Sequence, residues 1–331
     1  MESQETIQKG GGRMNTIKIL ELFGGIGAPR CALRNLGVPI KSIDYVEIDE
    51  KAVRSYNAMF AADLENKAQD VRGWNLKPDI LVHGSPCQDF SIAGHQRGAD
   101  EGSGTRSSLM WETLKIIENM GKWKPRIVIW ENVKNVLSKH MYHNFKKYLD
   151  YMEKLGYTNS YEILDARDYG LPQARQRVFT VSNLDGAKFD FSKMTAKPMR
   201  PIQEFLEQDV AKHYEVTQPS MMKKILGDVG TFGRAVDVIK DYAYTITCKQ
   251  MRCPNSGVID LGNGKYRYLT EKECFRLQGY TDKDFEAAAS VTPGKQGKLN
   301  GALYKQAGNS IPVTIFESMF EVMLGIEREV E

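Results

Sequence analysis

The sequence has no long hydrophobic run, few cysteines and little net charge. No apolar stretch in its 331 residues approaches the roughly 18 residues that a membrane-spanning helix needs. The five cysteines are scattered and show no CxxC spacing, so neither a disulfide framework nor a metal site is indicated. This pattern is typical of a protein kept in a reducing, cytoplasmic compartment. The net charge of +3 is too small to establish a nucleic-acid partner by itself.

Residues 1–13 lie outside the predicted fold. They contain Gly10-Gly11-Gly12 and lack the apolar centre of a signal peptide, so we interpret them as a disordered extension or a tag. The rest of the chain is long enough for a large hydrophobic core and a smaller second one.

A cysteine near the end of a predicted buried strand is the first candidate for chemistry. The apolar run 79–83 leads into Gly84-Ser85-Pro86-Cys87-Gln88, and a glycine-rich loop follows up to residue 108. A thiol that is held by proline and followed by mobile backbone indicates a nucleophile more than a core residue. The loop carries Arg97 and Arg106, so it is either a lid for a polyanionic substrate or a disordered connection with incidental charge.

A glycine turn earlier in the chain is the candidate for a bound ligand. The predicted strand 17–23 ends in Gly24-Gly25-Ile26-Gly27, and a helix begins at Ala28, so backbone N–H groups are open to a ligand. The next strand ends in Glu47, whose carboxylate can accept hydrogen bonds from two ribose hydroxyls. Arg30 occupies the third glycine position of a dinucleotide fingerprint, so an adenosine ligand without a pyrophosphate fits better. A plain tight turn and a solvated acid are the alternatives.

Strands that alternate with helices predict an α/β fold with a doubly wound, mostly parallel sheet. Ligands of such folds bind beyond the carboxyl ends of the strands. Asp70 is expected to end a third short strand, and Glu131 follows the buried strand 126–130. The reactive or polar residues at the predicted strand ends are therefore expected to share one site: Phe23-Gly24, Glu47, Asp70, Pro86-Cys87 and Glu131.

Arg175 and Arg177 lie between two strands that are predicted to pair antiparallel, 161–164 and 178–181. On an extended segment the two side chains point to the same side, where they face either an anionic partner or water.

The pattern changes at about residue 184, where the alternation of helices and strands stops and prolines and glycines become frequent. A β-prone run at 242–247 and a polar loop at 248–257 follow; such polar side chains can read base edges, although polar loops are common. This segment predicts a smaller, irregular, β-rich domain. Regular structure resumes in a helix capped by Thr270, with Glu273 placed for a capping box, and the chain closes with an amphipathic helix at 313–326.

Six ordered blocks of the sequence resemble the cytosine-5 DNA methyltransferase family, and the resemblance extends from Ile17 to Ile326. Each block alone is modest, but six in this order, with a variable stretch between the fourth and the fifth, are highly specific. The size resembles that of the compact bacterial and phage enzymes of restriction-modification systems. The blocks are Leu22-Phe23-Gly24-Gly25-Ile26-Gly27, Gly84-Ser85-Pro86-Cys87-Gln88, Glu131-Asn132-Val133, Gln173-Ala174-Arg175-Gln176-Arg177, Arg276-Leu277-Gln278-Gly279 and Gln306-Ala307-Gly308-Asn309-Ser310.

The resemblance implies a DNA (cytosine-5-)-methyltransferase whose catalytic residues are Cys87, Glu131, Arg175 and Arg177. Cys87 would add to carbon 6 of a cytosine that is flipped out of the duplex, which lets carbon 5 accept a methyl group. Glu131 would hydrogen-bond or protonate ring nitrogen 3, and the two arginines would hold the base and its phosphate.

S-adenosyl-L-methionine is the implied methyl donor, and double-stranded DNA is the implied substrate. The resemblance places the cofactor against Phe23, Gly24, Gly25, Ile26, Gly27, Glu47, Ile48, Asp70, Val71, Pro86, Leu109, Asn309 and Ser310. It places DNA against Ile92, Gln96, Arg97, Thr245, Lys249, Gln250 and Arg252. A monomer without membrane attachment is expected, and any cognate restriction endonuclease is expected to act separately.

The predicted organisation has three parts after the first 13 residues. A catalytic and cofactor-binding domain covers 14–183, and a target recognition domain covers 184–270. A return segment covers 271–331, and its final helix is expected to complete the catalytic domain beside the first glycine turn.

Two other functions share parts of this pattern. An RNA cytosine-5 methyltransferase is the nearer one, but the Cys-Phe-Thr tripeptide of a relative that acts on transfer RNA is absent, and no second cysteine has a setting like that of Cys87. A catalytically inactive DNA-binding homologue would tolerate the loss of Cys87, Glu131 or Arg175, yet all three are present.

Overall fold

A six-stranded sheet forms the centre of the protein, in a computed structural model that describes residues 16–60, 66–72, 77–84, 109–229, 234–252 and 254–326. The strands are β1 (Ile17–Leu22), β2 (Ile40–Val46), β3 (Ile80–His83), β4 (Ile127–Val133), β5 (Thr158–Asp165), β6 (Gln173–Ala174), β7 (Gln176–Asn183), β8 (Ala243–Tyr244), β9 (Ile259–Gly262) and β10 (Lys265–Arg267). The α-helices are α1 (Ala28–Asn35), α2 (Glu50–Phe60), α3 (Leu109–Asn119), α4 (Tyr142–Lys154), α5 (Pro219–Ile225), α6 (Glu271–Arg276), α7 (Asp282–Val291), α8 (Gly301–Asn309) and α9 (Val313–Leu324).

The strand order β2-β1-β3-β4-β7-β5 makes the central sheet mostly parallel. β1 pairs in parallel with both β2 and β3, and β3 pairs in parallel with β4. β7 pairs antiparallel with both of its neighbours, β4 and β5, so it is the one strand of this sheet with reversed direction. Parallel strands require crossover connections, and here helices supply them on both faces. The predicted doubly wound α/β fold is therefore confirmed.

Each face of the sheet has its own hydrophobic core, because neighbouring residues on a strand point to opposite sides. Ile19 of β1 and Ile129 of β4 belong to the core that includes residues of α1 and α9. Leu20 and Trp130, one residue further along, belong to the core that includes residues of α3 and α4.

The final helix α9 packs against α1, the helix that follows the first glycine turn. The Asn35 side-chain amide donates to Glu317 Oε1 at 2.8 Å, and Phe316 and Phe320 are fully buried. The Arg34 guanidinium of α1 also makes two hydrogen bonds, of 2.7 and 3.0 Å, to the Asp284 carboxylate of α7. The core around β1 is thus discontinuous in sequence, while the domain boundaries at 184 and 271 stay a prediction.

The third short strand that was expected before Asp70 is not present in residues 66–72. This segment meets the end of β2 through a hydrogen bond from Gln69 N to Glu47 O at 2.7 Å. The Asp70 carboxylate accepts from Arg72 N at 3.0 Å, and local side-chain bonds of this kind compete with pairing of the backbone in a sheet.

The β-prone run at 242–247 forms a strand only at β8, which pairs in parallel with β6. After β8 the backbone bonds to a side chain instead of to a neighbouring strand: Ile246 N donates to Gln173 Oε1 at 3.1 Å. The predicted capping box of α6 is confirmed: Glu273 N donates to Thr270 Oγ1 at 3.1 Å, and Thr270 N donates to Glu273 Oε2 at 2.8 Å. Among the described helices, none has the length and apolar character needed to span a membrane.

The contact between α8 and the segment after β8 leaves no room for a side chain at Gly308. A Cβ atom there would overlap the backbone of Thr247 and Cys248. We predict that Gly308→Ala lowers the free energy of unfolding by about 1–3 kcal/mol, because backbone cannot move aside cheaply. Urea denaturation measures this change.

Gly301→Ala is the matched control in the same helix. Its Cβ atom would meet the flexible end of the Met251 side chain at 2.8 Å, and that side chain can move aside. Gly301→Ala should therefore be neutral or slightly stabilising. Equal midpoints for Gly308→Ala and the unchanged protein would contradict the close approach.

Candidate active site

The carboxyl ends of β3 and β4 place Gly84 beside Glu131. His83, the last residue of β3, pairs with Trp130 of β4, so Gly84 and Glu131 are the next residues on the two strands. An ideal Cβ atom on Gly84 would lie 3.6 Å from Glu131 Oε2. Cys87 lies three residues after Gly84 in the sequence. Five of the predicted site residues lie outside the described ranges: Pro86, Cys87, Ile92, Gln96 and Arg97.

Glu131 forms an ion pair with Arg177 across the sheet. Glu131 pairs with Phe179 and Val133 pairs with Arg177, so Glu131 and Arg177 are diagonal neighbours on one face. Arg177 Nε lies 3.0 Å from Glu131 Oε1, and the two side chains are 13% and 12% exposed. The pair is nearly removed from water.

Burial raises the pKa of Glu131 above its ordinary value. The charges of Arg177 and Arg175 and the hydrogen bond from Arg177 act in the opposite direction without cancelling this rise. The side chain therefore takes up a proton more readily than a solvated glutamate does. A carboxyl with these properties is suited to donate a proton to a bound ligand.

Arg175 lies between β6 and β7 and is only 3% exposed. Its guanidinium donates to the carbonyl oxygens of Ile246 at 2.9 Å, Gly308 at 3.1 Å and Ser310 at 2.7 Å. These carbonyls belong to the segment after β8 and to the end of α8. Of the two predicted arginines, Arg177 contacts the acid and Arg175 holds separate parts of the chain together.

The turn after β1 is shaped by one strained residue and by two close approaches. Phe23 has a φ of 56°, a left-handed conformation that is rare for a large side chain and is often found at functional sites. A Cβ atom on Gly24 would lie 2.6 Å from the Tyr45 ring, and one on Gly27 would lie 2.5 Å from the Tyr56 ring. Ile26 is buried at 1% exposure and belongs to the hydrophobic core that includes α1.

A buried carboxyl that sequence reasoning missed, Glu21, lies directly under this turn. Glu21 is 1% exposed, and its Oε2 accepts from the Tyr56 hydroxyl at 2.6 Å. Its Oε1 has no hydrogen-bond partner among the described residues. Burial raises the pKa of Glu21 to about 7, against the smaller lowering effects of Tyr56 and Arg30. The signal was present in the sequence as one acid within an apolar strand.

Glu47 connects the end of β2 to the glycine turn. Its Oε2 accepts from Gly25 N at 3.0 Å, and its Oε1 accepts from Ile48 N at 2.8 Å and Asp49 N at 2.9 Å. A carboxylate has about four acceptor positions, so Oε2 keeps capacity for a further donor. The neighbouring Ile48 is 71% exposed, which is high for a large apolar side chain.

Asp70 and Val71 lie next to this position because of the bond between Gln69 N and Glu47 O. Arg72 holds the pKa of Asp70 at about 2 by hydrogen bonds from its side chain and backbone. Asp70 is therefore ionised at neutral pH. Val71 is buried at 4% exposure and packs in the core that contains Trp130.

Residues of α8, in the return segment, contact the start of α2 and the residues before it, close to Glu47. Lys305 of α8 forms an ion pair of 2.5 Å with Asp49, and the Gln306 side chain donates to Lys51 O at 3.0 Å. Ser310 is buried and its hydroxyl is 2.7 Å from that of Tyr280, whereas Asn309 is exposed. Sequence reasoning missed Lys305 and Asp49, since only folding brings them together. Leu109, at the start of α3, is half-buried.

The predicted DNA-contacting residues of the 248–257 loop fall into two groups. Gln250 is 2% exposed and bonds to the Ser256 hydroxyl, and Thr245 donates to Ala174 O at 2.8 Å. These two side chains hold the loop in place. Lys249 and Arg252 are exposed and open to a partner.

Solved structures of methyltransferases share this fold. The Entamoeba histolytica methyltransferase EhMeth has a TM-score of 0.74 at 17% identity, covering 96% of this chain and 100% of that one. The Dnmt2 methyltransferase of S. pombe has a TM-score of 0.72 at 18% identity, covering 94% and 99%. The fold is that of a methyltransferase.

Sequence comparison defines the family within this class. Residues 17–325 match the family described as C-5 cytosine-specific DNA methylase. The type II methyltransferase M2.ScrFI of Lactococcus lactis subsp. cremoris is 36% identical, over 92% of this chain and 98% of its own length. The type II methyltransferase M.HhaI of Haemophilus parahaemolyticus is 27% identical over 92% and 93%, and the orphan methyltransferase M.SPRI of Bacillus phage SPR is 25% identical over 94% and 98%.

The chain therefore belongs to the C-5 cytosine-specific DNA methylase family. It is a DNA cytosine-5 methyltransferase, and S-adenosyl-L-methionine is its methyl donor, as the resemblance predicted.

The different contacts of the two arginines predict different losses of stability. Arg175→Lys keeps the charge but cannot reach three carbonyl groups, so we expect it to lower the free energy of unfolding by about 2–4 kcal/mol. Arg177→Lys is the matched control and should cost less than Arg175→Lys, because a lysine can still pair with Glu131 and no buried charge is left alone. Urea denaturation compares the two variants, and equal losses would contradict the structural assignment of Arg175.

Proposed function

We propose that Cys87 is the nucleophile of this enzyme and that Glu131 is its proton donor. The observation that carries this proposal is the position of Glu131, whose Oε2 would lie 3.6 Å from a Cβ atom on Gly84, at the start of the block that contains Cys87. If the Cys87 thiol approaches a bound pyrimidine from the side opposite to Glu131, the acid and the thiol would engage nitrogen 3 and carbon 6, which lie on opposite sides of the ring. The raised pKa of Glu131 supports the role of the acid.

The chemistry follows from the electron distribution of cytosine. The Cys87 thiolate forms a bond to carbon 6, and the ring electron pair moves toward nitrogen 3, where Glu131 donates a proton. Carbon 5 thereby becomes an enamine-like nucleophile and would take the methyl group, while the bond from that methyl group to the sulfonium sulfur of the donor breaks and leaves a neutral thioether. Loss of the proton from carbon 5, with a water as the proposed base, restores the ring double bond and expels the Cys87 thiolate, and nitrogen 3 returns its proton to Glu131.

Arg177 fits a supporting role in this step. Its guanidinium holds Glu131 Oε1 from one side, so Oε2 is the oxygen left toward Gly84. The carboxyl group is thus oriented before a base arrives, which reduces the entropy that must be lost in the transition state.

The residues around the turn after β1 fit the cofactor. S-adenosyl-L-methionine supplies an electrophilic methyl group when it is bound. The unpartnered Glu21 Oε1 would accept a hydrogen bond from its ammonium group, and Glu47 Oε2 would accept one from a ribose hydroxyl. The exposed Ile48 side chain would pack against the adenine, and Asp70 would face its amino group.

Duplex DNA is the substrate that suits this site, and the target base must leave the stack. A thiol cannot reach carbon 6 of a stacked base, so the enzyme must flip the nucleotide, at a cost of a few kcal/mol. We assign Lys249 and Arg252, both exposed, to contacts with the backbone of the duplex near the target.

We further propose that the enzyme acts as a monomer in the cytoplasm of a bacterial or phage-infected cell. The similar proteins include type II methyltransferases of bacteria and an orphan methyltransferase of a phage. The free thiols of Cys31, Cys248 and Cys274 fit a reducing compartment. Any cognate endonuclease would act as a separate protein.

Cys87→Ser should reduce methyl transfer by at least about 10³-fold, because a serine hydroxyl is a far weaker nucleophile than a thiolate at neutral pH. Incorporation of tritiated methyl groups into DNA measures the rate, and calorimetry should show unchanged cofactor binding. Cys248→Ser, at an exposed cysteine, is the control and should stay active. A Cys87→Ser variant with near-normal incorporation would refute the assignment.

Glu131→Gln should lower kcat by about 10²–10⁴-fold while DNA affinity changes little, because the amide cannot supply a proton. Protonated Glu131 becomes scarcer as pH rises, so the normal enzyme should show a decline of the single-turnover rate through the raised pKa of Glu131. That decline should be missing in Glu131→Gln. Glu153→Gln, on the exposed face of α4, is the control. Equal losses of rate and of DNA affinity would indicate a structural role instead.

A further inference from the structure

A basic groove lies at the edge of the sheet opposite to the candidate active site. It has a volume of about 630 Å³ and is lined by residues from the start of β1, the start of β3 and the segment before β4. These are the amino ends of the parallel strands, whereas Glu47 and Glu131 lie at the carboxyl ends. β1 has six residues, so the two edges are about 20 Å apart at about 3.3 Å per residue.

The side chains of this groove carry mostly positive charge. The basic residues that line it are Lys18, Lys77, Lys122, Lys124 and Arg126, against one acid, Asp79. Asp79 Oδ2 already accepts from Lys18 N at 2.9 Å. In the part of the chain that the structure describes, none of the five basic residues forms an ion pair. Although the net charge of the chain is only +3, five cations without an ion pair to any described acid are concentrated in one place.

Trp123 organises two of these cations. It is 51% exposed, whereas Trp111 and Trp130 are 8% and 1% exposed. The ammonium groups of Lys77 and Lys122 lie 4.2 and 5.1 Å from the centre of its ring. Cation–π attraction to one ring therefore holds the two charges close together, although Lys77 and Lys122 are distant in sequence.

The backbone beneath Trp123 is well anchored. Trp123 N donates to Met120 O at 2.9 Å, and the Tyr157 hydroxyl donates to Pro125 O at 2.7 Å. The Lys124 ammonium donates to Leu155 O, so this cation ties the turn to the end of α4. The aromatic ring and its lysines form a preorganised surface rather than a set of independent flexible charges.

We propose that this groove is a second DNA-binding site, which takes the sugar-phosphate backbone of a duplex segment other than the one at the catalytic edge. Lys77 and Lys122 would contact phosphates, and Lys18 and Arg126 would extend the positive surface at the mouth of the groove. The exposed part of the Trp123 ring would pack against deoxyribose. Since no base edge is read, this binding is independent of sequence.

Because the groove and the candidate active site lie at opposite edges of the sheet, they would bind different segments of DNA. A straight duplex cannot contact both edges at once, so the groove would hold a separate segment while the catalytic edge is free to examine DNA. The enzyme would thus stay attached to a DNA molecule between encounters, through contacts that depend on salt.

The number of short duplexes bound per protein tests the proposal. The probe is a duplex of about 12 base pairs, about 40 Å long, made only of A·T pairs, so it contains no cytosine and binding is separate from catalysis. Sedimentation of the full chain with excess probe at low salt should show two duplexes per protein. Lys77→Ala/Lys122→Ala should bind one, and loss of these two contacts should remove about 2 from the summed salt slope.

Three further variants separate a built site from a patch of charge. Lys283→Ala/Lys295→Ala removes the same charge from exposed positions on and after α7 and should still bind two duplexes. Trp123→Leu keeps every charge but should weaken the second duplex by about tenfold, because the lysines lose their common partner. Trp123→Tyr keeps an aromatic ring and should restore most of the affinity. All of these variants should keep normal methyl transfer, which verifies their folding.

Two results of the duplex count would overturn the proposal. One duplex per normal protein, or two per Lys77→Ala/Lys122→Ala variant, would show that the groove does not hold DNA. If a poly-glutamate peptide bound in the groove and the second duplex did not, the surface would serve an acidic protein partner instead. These outcomes leave the assignment of Cys87 and Glu131 untouched, since no step of the test requires catalysis.

Discussion

Three hydrogen bonds from one buried guanidinium hold the candidate active site together. Arg175 donates to the carbonyls of Ile246, Gly308 and Ser310, from two segments that lie far from it in the chain. A buried cation is tolerated only where such bonds replace its lost water. The segment after β8 and the end of α8 must therefore be in place before Arg175 can be buried. Because its charge also lowers the pKa of Glu131, assembly of the chain and the acidity of this carboxyl are coupled.

Burial and neighbouring positive charges act on the pKa of Glu131 in opposite directions. Burial raises the pKa of this carboxyl, whereas the charges of Arg177, which contacts it, and of Arg175 lower that pKa. In this structure burial prevails, but Arg177 still holds one oxygen by an ion pair of 3.0 Å. The group is therefore fixed in orientation while its proton stays exchangeable. A proton donor that must recover its proton after each turnover needs both properties.

Sequence reasoning succeeded where a function depends on local order and failed where it depends on distant partners. The acids Glu47 and Glu131 follow apolar runs. Their positions at strand ends could therefore be predicted from the pattern of apolar and polar residues along the sequence. The partners of Arg175 are 71 to 135 residues away, and no pattern within a window of the chain encodes them. Gln250 looked like a base reader because it is polar and lies in a loop, but packing turns it inward to Ser256. The strand expected before Asp70 failed because a side-chain turn took the place of strand pairing.

The two edges of the parallel sheet differ in the charged side chains that they carry. Parallel strands collect all their carboxyl ends at one edge, and the acids there are buried or bonded: Glu21 under the glycine turn, Glu47 to backbone N–H groups, Glu131 to Arg177. The amino ends meet at the other edge, where the lysines around Trp123 have no acidic partners among the described residues. On the proposal made above, these cations attract a polyanion to the edge opposite to the candidate active site. DNA can then be retained without competing for the site that must receive the target base.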